Sequence, residues 1–275
     1  MLGEDCASIA DIYVLKQGGQ RFVELVVLGA GAAYPGPHQA SSGYLVKDGR
    51  AGLLVDCGNG VVSRLQEAGE LDNVTALLFS HLHADHLLDI FPLFYSRLYS
   101  KNKNYPTLPV FMPPGEAERF ARLAEVLRVE PRKLLEQVFS VQEYAPSTGL
   151  AVDRLSISFL RTDHPVPAYA LRIEDGRGAV VFSADTGPLP ELAGFARGCD
   201  LLLCEATLSQ EDFDPARAIH LTPAMAAEVA LGAGAKTLLL THIWPFYDRQ
   251  KMLEQAKSVF PAAELAEELQ RYQIP

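Results

Sequence analysis

The chain has 275 residues, 48% of them hydrophobic, enough for one large core or two small ones. Its formal charge is −10 and its sequence pI is near 5.2, which makes it a poor general binder of structured nucleic acid, because neutralising phosphates takes clustered Lys and Arg. The lack of any apolar run of ~18 residues argues against a membrane helix; Cys6, Cys57, Cys199 and Cys204 show no paired metal spacing, and Cys57, Cys199 and Cys204, in or beside apolar strands, read as buried reduced thiols in a cytoplasmic protein.

Residues 1–20 are weakly patterned and read as an N-terminal extension. Ile12-Tyr13-Val14-Leu15 is either a strand ending at Gly18-Gly19 or part of that extension. Glu4, Asp5 and Asp11 stand where a basic leader region would be, so no signal peptide is expected. No linker or repeat interrupts residues 21–275, which are read as one domain. Phe22 to Leu28 predicts a strand ending in Gly29-Ala30-Gly31-Ala32. Such a turn can open a dinucleotide site, but Tyr34 occupies the place of the third glycine and Pro35-Gly36-Pro37 forbids the helix that should follow. A tight turn beside the functional site is the better reading. Ser41 to Val46 and Ala51 to Asp56 flank Asp48-Gly49, a hairpin signal, and Val61 to Ala68 predicts a short helix with Asn59 as its N-cap.

Val74 to Phe79 is apolar and too short for a typical helix, so it predicts a buried strand. It runs straight into Ser80-His81-Leu82-His83-Ala84-Asp85-His86. Leu87 to Ser100 predicts the helix that follows, with Phe91, Phe94, Tyr95 and Tyr99 at core spacing and Pro92 tolerated in its first turn. The basic loop from Lys101 to Pro106 is either a solvated surface or a rim that meets an anionic substrate. Val110 to Met112 reads as a strand. Phe120, Leu123, Ala124 and Leu127 place an amphipathic helix over Glu116 to Arg128. Leu155 to Leu160 alternates as a half-exposed strand, and Tyr169 to Ile173 with Ala179 to Ser183 flank a second hairpin turn at Asp175-Gly176. Leu201 to Cys204 and Thr237 to Leu240 are further apolar strands. Thr222-Pro223 opens a helix to about Leu231, with Gly232 and Gly234 beyond its end. The tail, residues 261–272, is helical by propensity, with a short closing strand as the alternative.

Three of the seven histidines and one aspartate fall within six residues, 81–86. Neutral imidazoles beside a carboxylate suit a borderline-soft divalent ion such as zinc, whereas a polar loop with chance histidines would not concentrate them so. Other apolar strands also end in polar residues: His164, Asp185, Glu205 and His242. Open α/β architectures place their sites at the carboxyl ends of strands. Singly, such a residue is more often a cap or a satisfied polar group. Together they supply several imidazoles and a carboxylate able to bridge two metals.

His81-Leu82-His83-Ala84-Asp85-His86 resembles the signature of the metallo-β-lactamase superfamily. With Leu28-Gly29-Ala30-Gly31, Ser41-Ser42-Gly43-Tyr44, His164-Pro165, Ser183-Ala184-Asp185-Thr186, Glu205-Ala206-Thr207, His220-Leu221-Thr222 and Leu240-Thr241-His242, in that order, the chain is similar to the ribonuclease Z-like branch. The resemblance implies an α/β fold, an αββα sandwich of two mixed sheets flanked by helices, and a two-metal hydrolase. It implies one metal held by His81, His83 and His164, a second held by Asp85, His86 and His242, and Asp185 bridging both. Zinc is the default ion, and manganese suits the harder carboxylates.

Two such ions sharing a water hold hydroxide near neutral pH and neutralise phosphoryl oxygens. Asp85 would orient the nucleophile or accept its proton. His220 would protonate the leaving oxygen, its tautomer and pKa set by Glu205, as in an equivalent Glu/His pair of the family; otherwise it is a surface histidine before a helix cap. Departures from the transfer-RNA-processing pattern are three. Only twenty residues separate His164 from Asp185, too few for a long arm. His220-Leu221-Thr222 replaces His-Ser-Thr, and Ile243-Trp244-Pro245 follows His242. The expectation is a cytoplasmic phosphodiesterase for a small substrate, cyclic nucleotides first, as in small armless relatives. The alternatives are a transfer-RNA 3′ endonuclease, a hydrolase of a non-phosphate ester, thioester or lactone, and a non-catalytic metal-binding protein. A homodimer is expected from relatives alone.

Overall fold

The computed structural model describes residues 23–49, 51–101, 104–129 and 132–274. Cys6, the Ile12 to Leu15 run, and Asn102 and Lys103 of the basic loop lie outside them.

The first half of the chain builds one sheet and its helical cover. Strands β1 (Val23–Gly29), β2 (Gly43–Asp48) and β3 (Ala51–Val55) form an antiparallel meander. The hairpin expected at Asp48-Gly49 is present, with Gly49 in the left-handed conformation the turn requires (φ 61°). Strands β4 (Ala76–Leu78), β5 (Leu108–Met112) and β6 (Phe139–Glu143) then add in parallel. Parallel neighbours need crossovers, and these carry helices α1 (Val61–Glu67), α2 (Ala84–Leu87), α3 (Ile90–Leu98), α4 (Ala117–Val126) and α5 (Arg132–Val138).

The second half repeats the plan. Strands β7 (Leu150–Val152), β8 (Leu155–Arg161), β9 (Tyr169–Glu174) and β10 (Ala179–Phe182) run antiparallel. Strands β11 (Leu201–Glu205), β12 (Thr237–Thr241) and β13 (Ala263–Leu265) follow in parallel. Helices α6 (Glu191–Phe195), α7 (Pro223–Ala233) and α8 (Arg249–Lys257) belong to this half, and β14 (Arg271–Ile274) returns to pair with β1. The two seven-stranded orders are β14-β1-β2-β3-β4-β5-β6 and β13-β12-β11-β10-β9-β8-β7.

Three apolar layers hold these elements as an αββα sandwich. Val23, Leu25 and Val27 of β1 face the other sheet, whereas Val26 and Leu28 face the helices. In β12, Leu239 points to the middle layer and Leu238 and Leu240 to the outer one. A strand covered on both faces is apolar along its buried length, which is why Leu25 to Leu28 and Leu238 to Leu240 read as unbroken hydrophobic runs. Each such leucine, fully buried, contributes about 1.5–3 kcal/mol. No helix among the described residues is long and apolar enough to cross a membrane. Cys57, Cys199 and Cys204 are buried free thiols.

Four expectations need correction. The helix expected over Leu87 to Ser100 is shorter, α3 alone (Ile90–Leu98), and Leu87 instead ends the separate short helix α2. Pro92 cannot donate to the Leu88 carbonyl, and the break lets Asp89 dock: its amide donates to Cys57 O (2.9 Å) and its carboxylate accepts from the Val62 amide (2.9 Å). Asn59 does not cap α1; Gly60 holds that position (φ 92°) with no side-chain cap bond, and Asp89 satisfies the free amide from a distance. The strand expected over Val74 to Phe79 is shorter, Ala76–Leu78. The tail is not helical: β13 and β14 complete the open edges beside β12 and β1, where ladder pairing overrides weak helix propensity. The α5, β6, β7, α6 and α8 segments carried no pattern strong enough to be named from sequence.

The Thr222 cap is as expected. Its hydroxyl accepts from the Met225 amide, Pro223 is the first helical residue, and Gly234 closes α7 in the left-handed region (φ 64°).

Candidate metal centre

The carboxyl ends of β3, β4, β8, β10, β11 and β12 meet at one edge of the sandwich. From the first sheet, β3 ends in Asp56, which is fully buried and left-handed (φ 57°). Asp56 Oδ1 accepts from the Ser80 amide (2.7 Å), and Oδ2 accepts from Ser80 Oγ and from His86 Nδ1 (both 2.7 Å). Ser80 Oγ, having given its proton to Asp56, accepts from His81 Nδ1 (3.1 Å). One carboxylate therefore sets the tautomer of two imidazoles and leaves both Nε2 atoms free to face the site. His83 lies in extended backbone at the start of α2, and the first turn of that helix folds Asp85 and His86 back beside His81.

This loop is pressed onto the segment after β3. The Cys57 amide donates to His86 O (2.7 Å), and a Cβ on Gly58 would lie 1.9 Å from the Asp85 carbonyl oxygen. Only glycine allows so close an approach. Gly58→Ala is therefore expected to destabilise the protein by about 1–3 kcal/mol through overpacking, read as a lower Tm in a thermal melt. An unchanged Tm would show that α2 is free to move.

From the second sheet, His164 follows β8, Asp185 follows β10, Glu205 ends β11 and His242 follows β12. Ala184 (φ 52°) and His242 (φ 57°) are left-handed, as Asp56 is. For residues with a Cβ this conformation costs on the order of 1–3 kcal/mol. It recurs at three strand ends here because each strand must stop and turn a polar side chain inward. The His242 amide donates to Ala30 O (2.9 Å), and Gly31 bridges both Ser41 and Ile243, so the glycine turn after β1 does lie beside this cluster.

Ligand-capable atoms of His81, His83, His164 and Asp185 lie within 4.8 Å of one another, as do those of Asp85, His86 and His242, and those of Asp185, His220 and His242. Asp185 belongs to the first and third groups and also reaches into the second, with Oδ1 3.4 Å from His86 Nε2 and Oδ2 3.5 Å from His242 Nε2 and 3.7 Å from His81 Nε2. Asp85 Oδ2 is 3.2 Å from His242 Nε2 and 3.6 Å from His86 Nε2. All seven residues singled out from the sequence as metal ligands converge.

The donor set fits divalent cations. His81 Nε2 is fully buried with no hydrogen-bond partner. His83 Nδ1 and His164 Nε2 face each other at 3.2 Å, and the Nε2 atoms of His86 and His242 at 3.4 Å. Burial pushes His81 well below the usual imidazole pKa and lowers His83 and His164, so all three are neutral donors. Burial opposes the ionised forms of Asp185 and Asp85, yet surrounding imidazoles, His242 foremost, hold both carboxyls below their ordinary range. Burial likewise lowers His86, but Asp185 and Asp56 outweigh it and hold the ring well above its ordinary value. Buried carboxylates thus demand positive charge at the point where the Nε2 atoms meet.

Glu205 repeats on this side what Asp56 does on the other. It is fully buried, and its Oε1 accepts from His220 Nδ1 (2.9 Å) and the Thr186 amide (2.8 Å). Its Oε2 accepts from Thr207 Oγ1 (2.6 Å), which in turn accepts from His242 Nδ1 (2.8 Å). Burial lowers the His220 pKa, but the Glu205 carboxylate outweighs it and the ring is pushed up to about 9. The His220 ring centroid is 5.6 Å from those of His164 and His242. His220 is therefore at the cluster and not on an outer surface. Asp56 and Thr207 were not singled out from sequence. Their signal was available for Asp56, a polar residue closing an apolar strand like His81 or Asp185; Thr207 offered only its place two residues after Glu205.

Residues 52–243 match the family model described as the beta-lactamase superfamily domain. The probable metallo-hydrolase YhfI of Bacillus subtilis is 33% identical over 240 residues, covering 86% of this chain and 94% of that protein. Its crystal structure matches with a TM-score of 0.82, over 92% of this chain and 100% of that one. A ribonuclease Z of Mycolicibacterium paratuberculosis is 30% identical over 275 residues, covering 92% of this chain and 98% of that protein. The short form of human tRNase Z matches with a TM-score of 0.72 at 25% identity, over 92% of this chain and 99% of that one. In fold and in sequence along most of its length, the chain belongs to the β-lactamase superfamily.

Proposed function

We propose that this hydrolase of the β-lactamase superfamily is a two-metal phosphodiesterase for a small substrate, with cyclic nucleotides first to be tested. One observation carries the reading: two groups of imidazole and carboxylate ligands meet at Asp185, within reach of a histidine held protonated by Glu205. His81, His83 and His164 would hold one divalent ion and Asp85, His86 and His242 a second, with Asp185 between them. Ions so held supply an acidified water and neutralise the non-bridging oxygens of a phosphoryl centre.

The chain's own groups do the rest. Asp85, ionised near neutral pH, accepts a hydrogen bond from the attacking water and orients it. His220, fixed through Nδ1 by Glu205, delivers the proton from Nε2 to the leaving oxygen. The segment between His164 and Asp185 is the plain β9–β10 hairpin, with no arm to grip a structured RNA, and the charge of −10 disfavours a polyanion.

The 30% identity to a ribonuclease Z supports the competing reading of a transfer-RNA 3′ endonuclease. Metal-loaded protein incubated with cyclic nucleotides, dinucleotides, short RNAs, carboxylic esters and a 3′-extended transfer-RNA precursor separates the readings. Turnover of the small phosphodiesters is the expected result; efficient cleavage of the precursor, or of esters alone, overturns it.

Asp56→Asn tests the orienting carboxylate. It keeps the shape but removes the charge that anchors His86 and Ser80, and metal affinity is expected to fall about 10–100-fold, measured by competition with a chelator. Unaltered affinity would mean that the imidazoles are oriented by packing alone.

A further inference from the structure

The segment after His242 places unusual side chains in water. Phe246 is 65% exposed and Tyr34 is 51% exposed, and half-buried Trp244 joins them. The Tyr34 and Trp244 ring centroids are 5.3 Å apart, and Trp244 and Phe246 lie 5.8 Å apart and nearly parallel, at 18°. An exposed cluster of three aromatic rings is costly unless something covers it.

Its location says what that is. Trp244 is two residues beyond His242, so their Cα atoms are at most ~7 Å apart. Tyr34 is three residues beyond Gly31, which is paired with Ile243. The two segments that carry the rings are therefore tied to each other beside His242, through the Gly31–Ile243 bridge and the His242 amide on Ala30 O. They are also braced. Tyr247 Oη donates to Asp212 (2.5 Å), tying this segment to the loop that leads to His220, and Asp248 caps α8 directly behind it.

We infer that Tyr34, Trp244 and Phe246 form a stacking shelf for the base of a nucleotide whose phosphodiester lies at the metal centre. The inference rests on the phosphodiesterase reading and narrows its substrate to nucleobase-bearing esters. Aromatic stacking suits this role because every base has a π-face: the near-parallel Trp244 and Phe246 can receive one without a specific hydrogen-bond pattern, and Tyr34, tilted 50° to Trp244, closes its edge. The chain's acidity adds a reason. With a net charge of −10 and the phosphoryl group already matched to the proposed metal centre, apolar contact is the natural source of affinity for the rest of the substrate.

Trp244 is the chain's single tryptophan, so its emission reports this shelf directly. Full-length protein is titrated with 3′,5′-cyclic AMP and, separately, with ribose 5-phosphate, which lacks a base. Saturable quenching by the cyclic nucleotide, and none by ribose 5-phosphate over the same range, is expected. Phe246→Ala and Tyr34→Ala remove exposed side chains and should leave Tm unchanged while weakening nucleotide binding about tenfold each. With metal-loaded enzyme, the same variants should raise KM for the nucleotide and spare kcat. Emission that ignores the nucleotide, or equal quenching by both ligands, overturns the shelf. So does a Trp244 signal that changes only with protein concentration, which would make the rings a self-association surface. Hydrolysis of bis-p-nitrophenyl phosphate is assayed on the same preparation: if it proceeds while the nucleotide leaves Trp244 unquenched, the shelf alone fails and the phosphodiesterase reading stands.

Discussion

On the two-metal reading proposed above, Asp185→Asn is expected to reduce turnover by at least about a thousandfold and to lower metal content from two equivalents to one or fewer. Asp185 is nearly fully buried, and its two oxygens reach His86 on one side and His81 and His242 on the other, at 3.4–3.7 Å. Asparagine preserves the volume and one oxygen but removes the negative charge that the two ligand groups share. The loss should also be visible without any assay of turnover. A bound ion stabilises only the folded state, so chelation is expected to lower the Tm of the parent protein, and the chelator-dependent shift should shrink in Asp185→Asn. Two equivalents of tightly held metal in the variant, with turnover retained, would rule out a shared carboxylate at this position.

His220→Ala is expected to leave metal content intact and to slow turnover about 10²–10⁴-fold for substrates with alkyl leaving groups, and less for p-nitrophenyl esters, whose leaving group departs without a proton. Equal losses for both would remove the acid role. A fall in metal content would instead make His220 a ligand, a placement its distance to Asp185 and His242 permits. The pH profile carries the sign. With its pKa pushed up to about 9, the His220 ring is protonated at neutral pH. The activity it supports is fully present well below that value and is lost as pH rises through about 9. Glu205→Gln removes the charge that raises this pKa, and the alkaline limb should move to lower pH.

Much of the site was legible along the chain because its chemistry is written at strand ends. A buried strand is dominantly apolar, so a titratable residue within three positions of its end stands out: His81 after β4, Asp185 after β10, His242 after β12. The cluster at residues 81–86 needed even less, since the ligands lie within one loop and one helical turn. Elements were less legible where a distant partner decides them. Asn59 has the right chemistry for a cap, yet the amide it would satisfy is taken by Asp89, 27 positions from Val62 in sequence. Residues 261–272 have helical propensity, yet two open sheet edges offer them ladder hydrogen bonds.

By itself the amino-acid sequence determined the alternation of strands and helices and marked the polar residues at the strand ends, since each depends on local periodicity or on residue type beside a strand; the αββα class and the grouping of the ligands followed from the resemblance of its motifs to a known family. Only the tertiary structure decided how those residues are aimed. That Asp56 directs His86 and, through Ser80, His81, while Glu205 directs His220 and, through Thr207, His242, depends on hydrogen bonds a few ångströms long between atoms up to 35 positions apart. Nothing in a linear pattern encodes that distance; it exists only once both sheets have packed and closed their strand ends upon one another.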